Sequence, residues 1–164
     1  MKNLIVISGS PGSGKSTICN LLKGKLNSPY IEFSSLQEFH LDNEWTNWNK
    51  EGEKMAFENL IFVLKNYIKH GYKNVILTDL RDSKVQEIPK HFENDNFVII
   101  TLTIGNDDEL KKRIVDRNSG FKNVQEALEW NKNVKVRPAL QNEYKIDNTH
   151  NHPEQTLEEV LKLL

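Results

Sequence analysis

The stretch from Leu4 to Thr17, LIVISGSPGSGKST, constrains this chain more than any other. An apolar, β-branched run (Leu4, Ile5, Val6, Ile7) stops at a turn holding Gly9, Gly12 and Gly14. Lys15, Ser16 and Thr17 follow, and a helical stretch from Ile18 to Leu22 begins at once. Strand, G-x-x-x-x-G-K-S and helix stand in the order a phosphate-binding P-loop demands. The glycines let the backbone turn tightly and aim several N–H groups at one anion. The helix start adds free N–H groups and the positive end of its dipole. Gly9, Gly12, Ser13 and Gly14 are therefore expected to cradle phosphates, with Lys15 on the β- and γ-phosphates, Ser16 on Mg²⁺ and Thr17 on the α-phosphate. A chain of this length matches the bare pattern by chance about once in two hundred. The flanking strand and helix lower that further, against the alternative of a tight turn with an incidental lysine.

The rest of the chain reads as α/β. Apolar runs at Asn3–Ser8, Tyr30–Phe33, Asn74–Thr78, Phe97–Thr103 and near Tyr144–Ile146 alternate with helical patterns. The first, third and fourth are continuously apolar, as strands are when helices cover both faces. Helices are predicted over Met55–Tyr67, from an Asn106/Glu109 cap through Arg117, from an Asn123/Glu126 cap, and from Pro153 to the end. This alternation implies an open parallel sheet with right-handed crossovers. With 164 residues and no linker or repeat, one domain over 1–164 is expected. The net charge of −1, from 22 basic and 23 acidic residues, argues against a nucleic-acid partner or an anionic membrane. The one cysteine, Cys19, falls at a buried helix position and reads as packing. The N-terminal apolar run is too short for a signal peptide, and a reducing cytoplasm fits. A monomer or homodimer is expected.

Residues outside the P-loop complete the candidate site. Asp79 follows the third strand in VILTDLRD, at the carboxyl end where ligands gather in such sheets. A carboxylate there holds Mg²⁺ through water or takes a proton from an attacking hydroxyl. Arg81 is placed to hold an anionic acceptor; the alternative is a polar loop leading into a helix at Asp82. Arg113 and Arg117 share a helix face and are candidates to neutralise charge in phosphoryl transfer. The alternative is a solvated basic face with Lys111 and Lys112. Asn118, Ser119 and Gly120 read as a turn. Arg137 is a further substrate-binding candidate, or else a surface arginine. Ser35 belongs to a polar stretch after strand two that is a candidate acceptor pocket, with Trp45 and Trp48 as aromatic walls. No Asn-Lys-x-Asp guanine motif follows a strand.

On these residues, GSPGSGKST at 9–17, VILTDLRD at 75–82, LKKRIVDR at 110–117 and KIDNTHNHPEQTLEEV at 145–160, the chain resembles the small P-loop kinases of the adenylate, shikimate and gluconate kinase group. The resemblance covers most of the chain. It implies a three-layer fold with a central five-stranded parallel sheet of order 2-3-1-4-5 and a short lid over roughly 113–138. It also implies ATP as donor, arginines near the lid hinge, and Asn148 to Pro153 near adenine. The stretch FSSLQEFH after strand two matches the acceptor half of none of these families. The expectation is an ATP- and Mg²⁺-dependent phosphotransferase for a small acceptor of nucleoside, nucleotide or sugar-acid type. A 5′-polynucleotide kinase and a regulatory ATPase without a small acceptor are the other readings.

Overall fold

The computed structural model describes residues 1–117 and 120–164. In chain order the elements are β1 (Leu4–Gly9), α1 (Lys15–Leu26), β2 (Tyr30–Glu32), α2 (Phe33–Gln37), α3 (Lys50–Lys69), β3 (Val75–Thr78), α4 (Asp82–Val85), α5 (Ile88–His91), β4 (Phe97–Thr103), α6 (Asp107–Val115), α7 (Val124–Val136), β5 (Glu143–Asp147) and α8 (Pro153–Leu161). The strands form one sheet in the order β2-β3-β1-β4-β5, all parallel. The expected order therefore holds.

β1 is the central strand because all of Leu4, Ile5, Val6 and Ile7 are apolar. Each is at most 1% exposed. Alternate residues of such a strand point to opposite faces, and the core divides accordingly. Leu4 and Val6 pack with Phe57, Leu60, Leu64 and Phe92 on one side. Ile5 and Ile7 pack with Ile18, Leu22, Ile146 and Val160 on the other. Helices α3 and α5 thus cover one face, and α1 and α8 the opposite one. A third cluster of Ile104, Leu110, Ile114 and Ala127 joins α6 to α7 beyond the end of β4.

Several boundaries differ from the predicted ones for local reasons. Asn74, expected in β3, adopts φ 53°, and its side chain accepts the Lys2 N–H at 2.9 Å, so the strand starts one residue later. Phe33, expected in β2, opens α2 instead. α3 begins at Lys50 rather than Met55 because the Asn49 side chain caps it, accepting the Gly52 N–H at 2.8 Å. α6 ends at Val115, short of Arg117. Within 113–138, Val124–Val136 forms a packed helix. Asn131 fastens it to the end of β4, its side chain accepting from the Ile104 N–H at 3.0 Å and donating to the Ile104 carbonyl at 2.7 Å.

Candidate active site

The loop between β1 and α1 is shaped by glycine where no other residue fits. Gly9 has φ 138°, and a Cβ there would run into the Leu102 carbonyl and the Ser13 hydroxyl. Gly14 has φ 98°, and a Cβ would stand 2.6 Å from the Asn148 amide nitrogen. Lys15 opens α1 and folds back, its Nζ donating to the carbonyls of Gly9 and Ser10, each at 2.9 Å. Burial lowers its pKa to about 8, against upward pulls from Asp79 and Cys19; Arg117 pushes it down further. Cys19 lies buried, and burial pushes its thiol up to about 12, which makes it inert packing.

A cavity of about 740 Å³ opens over this loop. Gly12, Gly14, Lys15, Ser16 and Thr17 line one side, with Arg113, Arg117 and Phe121 beside them. Asp79, Arg81, Phe33, Gln37, Trp45, Trp48 and Trp130 also line it. Residues from the ends of β1 and β3 and from α6 and α7 thus meet in one space, at the carboxyl edge of the sheet.

Asp79 stands directly after β3 with φ 71°, a conformation a non-glycine residue holds at a cost of about 1–3 kcal/mol. Its Oδ2 accepts the Ser34 N–H at 3.3 Å, which links the carboxylate to α2. Arg113 is held on two sides: Nε donates to Glu109 at 2.7 Å and Nη2 to the Thr149 carbonyl at 2.7 Å. Arg117 donates weakly to the Phe121 carbonyl at 3.4 Å. Arg81 is exposed and has no ion-pair partner among the described residues. Of the turn expected after Arg117, Asn118 and Ser119 lie outside the described residues.

Ser16 and Thr17 present exposed side chains on the first turn of α1. Among the described residues no group of three or more His, Cys, Asp or Glu forms a metal cage. A serine hydroxyl and one carboxylate beside a phosphate cradle suit Mg²⁺, which keeps waters and substrate phosphates as its other ligands. The residues present fit that ion.

Four expected site residues outside the phosphate loop sit elsewhere, and within the loop Gly9 and Ser13 are buried and do not line the cavity. Arg137 does not line the cavity. Its guanidinium is shared between Asp82, at 2.8 Å, and Glu143, at 2.7 Å, and it is 13% exposed. With the Pro138 carbonyl, at 3.1 Å, these carboxylates use up its donors, so its place is structural. Ser35 is exposed on α2 outside the cavity, while Gln37 on the same helix reaches it. Asn148 is buried against the loop itself, its amide donating to the Ser13 carbonyl at 2.8 Å. Pro153 stands exposed at the first position of α8.

The cavity also holds residues that sequence reasoning missed. Trp130 and Glu126 come from α7, and Glu53 from α3. Trp130 and Glu126 share a face of α7 at i and i+4, but only the packing of α7 through Ala127 and Asn131 turns that face to the cavity.

Comparison with known proteins agrees with this architecture. The AAA domain family matches residues 5–133. An adenylate kinase of Helicobacter pylori is 24% identical over 179 residues, covering 98% of this chain and 94% of that protein. A solved sugar kinase of Janibacter sp. superposes with a TM-score of 0.73 at 16% identity, covering 99% of this chain and 94% of that one. Shikimate kinase of Bacteroides thetaiotaomicron superposes with a TM-score of 0.67 at 18% identity, covering 98% and 97%. The fold is thus the one these kinases share, and the chain belongs to the AAA domain family of P-loop proteins.

Proposed function

We propose that the protein is an ATP- and Mg²⁺-dependent phosphotransferase acting on a small-molecule acceptor. One observation carries this reading: the phosphate loop, Asp79, Arg113 and Arg117 line the same cavity as an aromatic wall large enough for a second ligand. A nucleotide-binding switch needs no such second compartment. The similarity to adenylate kinase and to the fold of sugar and shikimate kinases supports the same class.

Lys15 and the loop N–H groups bind the β- and γ-phosphates. Lys15 releases the Gly9 and Ser10 carbonyls as it turns to the anion. Ser16 would hold Mg²⁺, with Asp79 reaching it through water, and the ion would offset the charge of the phosphates. Asp79 faces the acceptor compartment and receives the proton of the attacking group. Arg113, already oriented by Glu109 and Thr149, and Arg117 stabilise the charge on the transferring phosphoryl. Trp45, Trp48 and Trp130 seat the acceptor and exclude water. A cytoplasmic setting goes with this reading.

The test is ATP consumption with Mg²⁺ against nucleosides, nucleoside monophosphates, sugar acids, shikimate and a 5′-hydroxyl oligonucleotide. Turnover that rises with one class is expected. Lys15→Ala should then lose about 3 kcal/mol or more of transition-state stabilisation, read as kcat/KM. Tight ATP binding with no gain from any acceptor would overturn the reading.

A further inference from the structure

A second hollow, of about 390 Å³, adjoins the acceptor side of the cavity. The two share Trp48, Glu53 and Arg81 in their walls. No phosphate-loop residue reaches the second one, so it extends the acceptor compartment away from the donor. Its other lining residues are Lys50, Lys54, Ser83 and Lys84.

The charge of this annex is one-sided. Lys50 and Lys54 stand at i and i+4 of α3, so their side chains leave the same face. Both are exposed, and neither has an ion-pair partner among the described residues. Lys50 is the first residue of α3, where the helix dipole adds positive potential. Arg81 reaches the same space from the start of α4, also without an ion pair. Lys84 is already committed, to Glu87 at 2.9 Å and over the Phe57 ring at 4.8 Å. Against Lys50, Lys54 and Arg81 stands one lining carboxylate, Glu53. The uncompensated excess matches a phosphate monoester, of about −1.5 to −2 at neutral pH, better than a single carboxylate. Trp48, 41% exposed, forms the boundary, where an aromatic ring can stack while its anionic substituent enters the annex.

The geometry points to an acceptor that is aromatic and carries a phosphate other than the group being phosphorylated, seated on Lys50, Lys54 and Arg81. This inference rests on the kinase reading above and narrows its acceptor. A free phosphate ester and the first phosphate of a nucleic-acid end present the same chemistry to the annex.

The test fills the donor site with Mg²⁺ and a non-hydrolysable ATP analogue, then follows tryptophan fluorescence. The probes are the four ribonucleosides, their 3′-monophosphates and a 5′-hydroxyl oligonucleotide. For at least one base, the 3′-monophosphate should bind about tenfold tighter than the nucleoside, an advantage that shrinks as salt rises. Lys50→Ala/Lys54→Ala should remove most of that advantage. Lys25→Ala/Lys69→Ala, which deletes the same charge at exposed sites outside the annex, should keep it. Binding confined to monophosphates supports the seat and assigns it to a free phosphate ester. Tighter, more salt-sensitive binding of the oligonucleotide supports it and assigns it to a nucleic-acid end. Equal affinity for nucleosides and monophosphates, an advantage that survives Lys50→Ala/Lys54→Ala, or binding of no probe overturns the inference. Binding of the ATP analogue, titrated first, shows separately whether the donor site stands.

Discussion

The side-chain amide of Asn148 donates to the backbone carbonyl of Ser13 at 2.8 Å, so the segment after β5 holds the phosphate loop in place. The same side chain accepts from the Thr156 hydroxyl, which adds α8 to the support. The amide fits only because Gly14 has no Cβ. Asn148 is 6% exposed, so its bonds are made away from water.

Asn148→Ala should therefore cost about 1–3 kcal/mol, because a buried carbonyl and a buried hydroxyl lose their partner. Asn148→Asp should cost more, since it points an acceptor at the Ser13 carbonyl. Urea denaturation measures both. The ATP Kd should weaken in parallel as the loop loosens; an unchanged Kd and midpoint would show that the loop stands without this support.

Lys15 gives the donor site a pH dependence with a definite sign. Its pKa of about 8 in the free protein means that part of the population is neutral just above neutral pH. Phosphates bind the charged form, so the affinity for an ATP analogue should fall as pH rises through 8, by up to about tenfold per unit. The stability of the nucleotide-free chain runs the other way. The unfolded chain keeps this proton up to the ordinary lysine value of 10.5, so stability should rise between pH 8 and 10.5. Lys15→Met should abolish both trends. Calorimetric titration across pH 7–10 reads the first, and thermal melts read the second.

Asp79→Asn separates chemistry from backbone shape. Asparagine tolerates positive φ about as well as aspartate, so the fold should keep its melting temperature. Loss of the carboxylate should lower kcat about 10²-fold or more. Asp79→Val should be inactive and also destabilised by about 1–3 kcal/mol, because a β-branched residue is strained at φ 71°. A fully active Asp79→Asn protein would remove Asp79 from the chemistry.

Arg137 should matter for folding. Its partner Glu143 has a fully buried side chain, and breaking such a pair leaves a buried charge unmatched. Arg137→Ala should cost about 3–5 kcal/mol in chemical denaturation. Burial pushes the Glu143 carboxyl up, but the bonds from Arg137 and Thr101 outweigh it and hold the pKa below 4.5. The stability Glu143 contributes is present above that value and should be lost as pH falls below it. In Arg137→Ala this acid loss should shrink. A variant that melts like wild type but binds acceptor poorly would return Arg137 to the substrate site.

Residues 4–17 and the apolar strands were legible because their signals are local. A run such as Leu4–Ile7 has no polar side to turn to water, so it must be covered on both faces, and the sheet follows. The turn at Gly9, Gly12 and Gly14 depends on backbone conformations that the residues themselves permit. Asp79 was readable from its place directly after a strand. The partners of Arg137 were not, since Asp82 lies 55 positions away and reaches it only because β3 and β5 belong to the same folded sheet. Nor was the role of Asn148, whose partner lies 135 positions back along the chain. The aromatic wall and the basic annex have the same origin. Trp48 and Arg81 were readable as candidates, but Lys50, Lys54 and Trp130 carry no motif, and each is an ordinary helix residue until packing brings it to the cavity or its annex. Motif and periodicity thus determined the donor loop and the sheet, because both are written in neighbouring residues. The acceptor side was decided by tertiary structure, because side chains from separate elements meet there only once the helices have docked.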